Sequence, residues 1–265
     1  RFVEPFQPDN SHLDVLTGIR GWAALWVFLY HVWSMSGHPD FTLVLAGVPL
    51  DFTPLASIGG AGVTIFFVLS GFLLAIPFAE WQSGLRQRPA LDRYFLRRVM
   101  RVFPAYYAQL AILLLIAAWV PGQTGIDDWG SLFRHLFMLF TPPPLGTVPV
   151  NGVWWTLPIE FSFYLVLPLL ALLLRPGRWW LLLVGSLATM YLWRHGVVTR
   201  MADASIPQRV VATYQLPGSM DAFGLGMLAA LLHVNRSQLP GWLLPRMNLD
   251  RLGLLGLALV LAATY

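Results

Sequence analysis

Residues 13–33 read LDVLTGIRGWAALWVFLYHVW. The stretch is apolar enough to enter a bilayer, yet it carries two ionisable groups, Arg20 and His31. At 3.6 residues per helical turn, their separation is about three turns, so both side chains fall on one face, about 16 Å apart along the axis. They cannot touch; they are the two ends of one stripe. Two explanations stand open. Each group can snorkel to its own membrane surface and be wetted by headgroups. Alternatively, because ionisable groups inside a membrane are costly and face a bundle interior or a pathway, the shared face marks a polar lane with a cationic mouth and a titratable base near its far end.

The remainder of the chain fits a membrane setting. Of its 265 residues, 57% are hydrophobic and 11% charged, against about 25% charged in soluble domains, and the mean hydropathy is +0.62. The absence of cysteine removes disulfides and thiolate-bound metals. All 17 basic residues are arginine, and in so apolar a chain an arginine excess belongs to cytoplasmic loops rather than to nucleic-acid binding. The opening residues RFVEPFQPDNSH lack the layout of a cleaved signal peptide, so the first apolar helix is expected to be retained.

Crossing a bilayer takes about 20 mostly apolar residues. By that measure spans are expected near 13–34, 57–79, 103–120, 153–174, 178–194, 218–233 and from 251 onward. The segment LFRHLFMLF, 132–140, is too short to cross and is expected to lie at the interface or to re-enter. The fold class is therefore an all-α polytopic transmembrane bundle, with about seven spans in one membrane domain, 1–265. TPPPLGTVP, 141–149, reads as a Pro-rich connector and RPGR, 175–178, as a tight turn. The last run, RLGLLGLALVLAATY, stops without a polar flank, so the chain is read as a piece of a longer protein. Arg86, Arg88, Arg93, Arg97, Arg98 and Arg101 mark one loop as cytoplasmic. Propagating that assignment leaves only Arg134, Arg194, Arg200 and Arg209 outside and puts the N-terminus in the cytoplasm.

Two further places could carry chemistry. In NGVWWTLPIEFSFYLVLPLL, residues 151–170, Glu160 lies about 10 Å below the outer start of its span, close to the depth of His31. A carboxylate beside a histidine orients the ring, fixes its tautomer and raises its basicity; the alternative is a structural pair in which each neutralises the other. In LDRYFLRRVMRVFPAYY, 91–107, Arg97 and Arg101 share a helix face with Arg98 beside them. Guanidinium forks suit phosphates, and topology anchors for anionic headgroups are the equal alternative. GGAGVTIFFVLSGFLL, 59–74, reads as close helix packing. His12, His38, His135, His195 and His233 have no partner spaced for a metal and are expected at the surface or interface.

The Arg20-to-His31 arrangement in GIRGWAALWVFLYH resembles the first helix of the acyltransferase-3 family of membrane O-acyltransferases. Four further stretches agree with it in order: GVTIFFVLSGFLL (62–74), RRVMRVFPAYY (97–107), WWTLPIEFSFYLVLPLL (154–170) and MDAFGLGMLAA (220–230). The resemblance implies transfer of an acyl group, commonly acetyl, from cytoplasmic acyl-CoA to a hydroxyl of a cell-surface glycan or related acceptor, in a bacterial inner membrane and with no metal. It places His31 at the family's essential histidine and Arg20 at its partner. Arg98 and Arg101 match the Arg-x-x-Arg motif, with Arg97 beside them, and Glu160 matches the acidic position. Members usually have about ten spans, so this chain would lack the last ones. Other acyl donors such as succinyl-CoA, a small-molecule or lipid acceptor, a transporter built on the polar lane, and an inactive scaffold are the alternatives.

Overall fold

The computed structural model describes residues 11–120, 126, 128–139, 149–175 and 177–236. The described chain is mostly helical and divides into two compact units, one taking in the residues up to Leu69 and the other Ser70–Asn235.

The first unit begins with α1 (Ser11–Met35), 25 residues without an internal Pro. An antiparallel hairpin follows, β1 (Thr42–Leu45) against β2 (Val48–Asp51), with Leu45 opposite Val48. The two residues that close it, Ala46 and Gly47, sit at φ 50° and 83°, the left-handed pair that tight two-residue hairpin turns require. Thr53 caps its end: its backbone N–H donates to the Asp51 carboxylate, and its hydrogen bonds hold that carboxyl below the ordinary carboxylate range. After the short α2 (Thr53–Ser57) comes α3 (Ala61–Gln82). A side chain at Gly62 would overlap the Ala23 carbonyl and Val27, so the glycine-rich start of α3 lies directly on α1, as small residues permit in membrane packing.

In the second unit the rest of α3 is joined by α4 (Leu91–Trp119), α5 (Trp129–Leu136) and α6 (Leu157–Leu170), the last entered through a 3-10 turn, Gly152–Thr156. Then come α7 (Trp179–Arg200), α8 (Ile206–Thr213) and α9 (Met220–Val234). Phe163 is stacked on Phe223 with ring centroids 4.1 Å apart, and Phe78, Leu167, Leu182 and Met227 are likewise buried in this unit. Gly71 allows α3 to meet the α9 backbone, because a Cβ there would overlap the Phe223 carbonyl.

Among the described residues four helical stretches are long and apolar enough to cross a membrane: Ala61–Gln82, Leu91–Trp119, Gly152–Leu173 and Trp179–Arg200. The expectation of about seven spans is not confirmed. The stretch expected at 218–233 is a 3-10 turn followed by α9, whose 15 residues fall short of the about 20 a crossing needs; α9 is buried along most of its length instead. The stretch at 13–34 is helical throughout as α1, and the one from 251 lies outside the described residues, as does most of 141–149.

Two helices are longer than expected. The third span, read from 103, begins at Leu91 and has 29 residues, a helix of about 43 Å against a hydrocarbon core of about 30 Å; the arginine turns are therefore helical. Likewise α7 continues to Arg200, which makes Arg194 and Arg200 helix residues rather than loop residues.

His135 corrects the surface reading of the histidines. It is fully buried, its Nδ1 donating to the Ser131 carbonyl at 2.8 Å and its Nε2 accepting from the Val150 N–H at 3.1 Å. A neutral imidazole, one donor and one acceptor, satisfies two backbone groups and so tolerates burial. The Tyr106 hydroxyl donates to the His135 carbonyl at 2.6 Å, tying α5 to α4. His38, His195 and His233 are exposed as expected, and the His12 side chain lies outside the described set.

The Gly71 contact yields a paired test. Gly71→Ala is expected to cost about 1–3 kcal/mol by overpacking and to lower the thermal midpoint in detergent. Gly196→Ala, where an added Cβ meets nothing within 4 Å, is expected to leave it unchanged or raise it, since alanine is the better helix former. Equal midpoints for the two variants would refute the close approach.

Candidate functional site

On α1, Arg20 and His31 are both half-buried. His31 Nδ1 lies 2.7 Å from the carbonyl oxygen of Val27, one turn back. A carbonyl can only accept, so Nδ1 carries the ring proton and Nε2 presents the lone pair. The helix thereby fixes the tautomer of the neutral ring. Tyr30 meets the imidazole edge-on, with centroids 5.3 Å apart. A cavity of about 490 Å³ lies in the same unit, walled by Trp22, Trp26, Trp33, Phe41 and Phe52 among others. At 100° per residue those tryptophans occupy the side of α1 opposite Arg20 and His31, so the cavity stands away from the titratable stripe.

In the second unit the arginine cluster divides by exposure: Arg97 and Arg101 are exposed and Arg98 is half-buried. The Arg98 guanidinium carbon lies 6.0 Å from the Tyr94 ring centroid and 5.8 Å from that of Tyr164, both within cation–π reach. Tyr164 in turn donates its hydroxyl to Glu160 Oε2 at 2.8 Å, and the Tyr94 hydroxyl donates to the Tyr164 carbonyl at 3.1 Å. Arg98 Nε is buried and has no hydrogen-bond partner among the described residues. Two rings lie within cation–π distance of the guanidinium, and its N–H donors are the part suited to an anion.

Thus the structure brings together Glu160 and Arg98, two of the expected residues, through Tyr164. Arg97 and Arg101 stand beside them on exposed faces of α4. Arg20 and His31 share α1 in the first unit. Tyr94 and Tyr164 escaped the reading of the sequence, although the signal was present: Tyr94 is four residues before Arg98 and Tyr164 four after Glu160, the spacing that stacks side chains on one helix face. Also missed was the partner of Asp221 on the MDAFGLGMLAA stretch: Arg194 donates to Asp221 at 3.3 Å and to the Gly218 carbonyl at 2.9 Å, joining α7 to the start of α9. No group of three or more His, Cys, Asp or Glu able to hold a metal occurs among the described residues.

The family model for an acyltransferase domain, Acyl_transf_3, matches residues 13–265. The chain belongs to that family. Curated relatives include acyltransferase MdmB of Streptomyces mycarofaciens, 29% identical over 65% of this chain and 44% of its own length. The O-acetyl transferase of Shigella phage Sf6 is 27% identical over 77% of this chain and 59% of its own length. Peptidoglycan O-acetyltransferase OatA of Listeria monocytogenes is 25% identical over 60% of this chain and 24% of its own length. The chain spans about half the length of the curated relatives it matches, between 44% and 61% for three of them. No solved structure matches it. Family membership and the apolar helices together make this an integral membrane protein.

The double ring contact separates arginine from lysine. Arg98→Lys keeps the charge but replaces a plane that stacks on two rings with a hydrated point charge. It is expected to lower stability by about 0.5–2 kcal/mol, measured as a fall in thermal midpoint in detergent; an unchanged midpoint would mean that the ring contacts contribute nothing.

Proposed function

We propose that the chain forms the membrane domain of an O-acyltransferase that moves an acyl group, in the first instance acetyl, from cytoplasmic acyl-CoA to a hydroxyl of a cell-surface glycan. The observation that carries this reading is the His31 tautomer: Nδ1 is committed to Val27, which leaves Nε2 as the proton acceptor in a chain of an acyltransferase family. The relatives described as O-acetyl transferase and peptidoglycan O-acetyltransferase support an acetyl group and a glycan acceptor.

In this mechanism His31 Nε2 takes the proton of the acceptor hydroxyl as its oxygen attacks the thioester carbonyl. The C–O bond forms, the C–S bond breaks, and the imidazolium returns its proton to the departing CoA thiolate. Glu160, read at nearly the depth of His31 in the sequence, is assigned to stabilise the imidazolium. Arg98 and Arg101, with Arg97, are assigned to the CoA phosphates, which their exposed or edge-on donors suit, and Arg20 is assigned to the cationic end of the stripe. The arginine cluster then belongs at the cytoplasmic face of a bacterial inner membrane, with the N-terminus on the same side.

Membrane vesicles carrying the full-length protein are expected to move label from radiolabelled acetyl-CoA into the polysaccharide fraction, and His31→Ala to reduce that transfer by about 100-fold or more. Wild-type transfer by His31→Ala would end the proposal. The double variant Arg98→Ala, Arg101→Ala is expected to weaken CoA binding in a calorimetric titration; unchanged affinity would reassign both arginines to membrane topology.

A further inference from the structure

We propose that Tyr164 is the positioning residue of this site: its hydroxyl orients the Glu160 carboxylate while its ring face holds the Arg98 guanidinium. One side chain then sets both the acidic group assigned to catalysis and the cation assigned to the donor. The proposal rests on the function proposed above and names a residue that neither the family motifs quoted for this chain nor the charge pattern assigns.

The geometry is specific. Tyr164 is 4% exposed, so water is largely excluded from competing for its hydroxyl. That hydroxyl is 2.8 Å from Glu160 Oε2, one turn earlier on α6, and a glutamate side chain held at one oxygen has lost most of its rotamer freedom. On its ring side, Tyr164 stands 5.8 Å from the guanidinium carbon of Arg98. Arg98 makes no ion pair among the described residues and its Nε has no hydrogen-bond partner there, so the two rings are its close stabilising neighbours. Tyr94 closes the arrangement: it is 6.0 Å from the same guanidinium and donates to the Tyr164 carbonyl at 3.1 Å. The backbone of Tyr164 is thereby pinned to α4, the helix that carries the arginines. Phe161, edge-on to Tyr164 at 6.4 Å, packs against Phe103 of α4 at 5.2 Å and keeps the two helices in register around the pair.

The two roles reside in different parts of the phenol and can be removed separately. Tyr164→Phe deletes only the hydroxyl, and Tyr164→Leu deletes the ring as well. With radiolabelled acetyl-CoA and vesicles carrying the full-length protein, Tyr164→Phe is expected to lower kcat by about 10- to 100-fold, leaving KM for acetyl-CoA within about twofold. Tyr164→Leu is expected to add a rise of about fivefold or more in KM and in the dissociation constant of CoA, as Arg98 loses one of its two ring contacts. Tyr164→Phe combined with Glu160→Gln is expected to be no slower than Glu160→Gln alone, because the hydroxyl acts through that carboxylate. A merely structural tyrosine would change thermal midpoint and leave this division of kcat from KM unmade. Wild-type kcat in Tyr164→Phe, or losses that add in the double variant, would overturn the proposal, and Tyr164→Phe carries the test even if Tyr164→Leu does not fold. An inactive Glu160→Gln beside a fully active Tyr164→Phe would remove the Tyr164 assignment alone, whereas a fully active Glu160→Gln would remove the catalytic reading beneath it.

Discussion

A guanidinium cannot shed its charge, and in a chain this apolar it has few polar groups to turn to. Arg98 meets that constraint with the faces of Tyr94 and Tyr164. Ring quadrupoles attract the cation and stabilise its charge in place. The arrangement also explains why two tyrosines sit where aliphatic side chains would otherwise pack: each supplies a face to the cation and a hydroxyl to a nearby acceptor, Glu160 in one case and the Tyr164 carbonyl in the other. The Tyr94 hydroxyl fastens α4 to α6 at the Tyr164 carbonyl, a hydrogen bond that a low-dielectric interior strengthens.

How much of this was legible beforehand depended on whether the information was local. The Arg20-to-His31 stripe follows from helical periodicity, and α1 is helical through both residues. The tautomer of His31 does not follow, because it depends on a carbonyl acceptor that exists only once the turn has formed. Periodicity puts Arg97 and Arg101 on one helix face with Arg98 beside them, and α4 is helical through all three, but the division into exposed Arg97 and Arg101 and half-buried Arg98 depends on which neighbours cover which side. His135 was misread because an apolar nine-residue segment with two basic groups resembles an interfacial anchor; the Val150 N–H, fifteen residues on, is a partner that local sequence does not announce. The short α9 was read as a span because its composition is that of a buried helix, and apolarity alone does not separate lipid from protein as the solvent.

Small residues govern the other packing contacts. Gly62 against Ala23 and Gly71 against the Phe223 carbonyl put backbone against backbone, where dispersion and weak C–H contacts substitute for the hydrophobic drive that a bilayer does not supply. Proline is accepted on similar terms: Pro77 and Pro104 lie inside α3 and α4, in helices whose freed carbonyls a neighbouring helix can approach.

Three side chains share one habit. His31 is bonded to Val27, His135 to Ser131 and Tyr164 to Glu160, each to the residue four positions earlier on its own helix. Their chemical state is therefore written within a single turn of helix and travels with it. A tilt or slide of one helix changes how far these groups stand from a substrate, but it leaves the ring proton of His31 on the same nitrogen and the carboxylate of Glu160 on the same phenol. The tautomer of His31 and the setting of the Glu160 carboxylate are thereby local properties, each carried by a single helix wherever that helix goes.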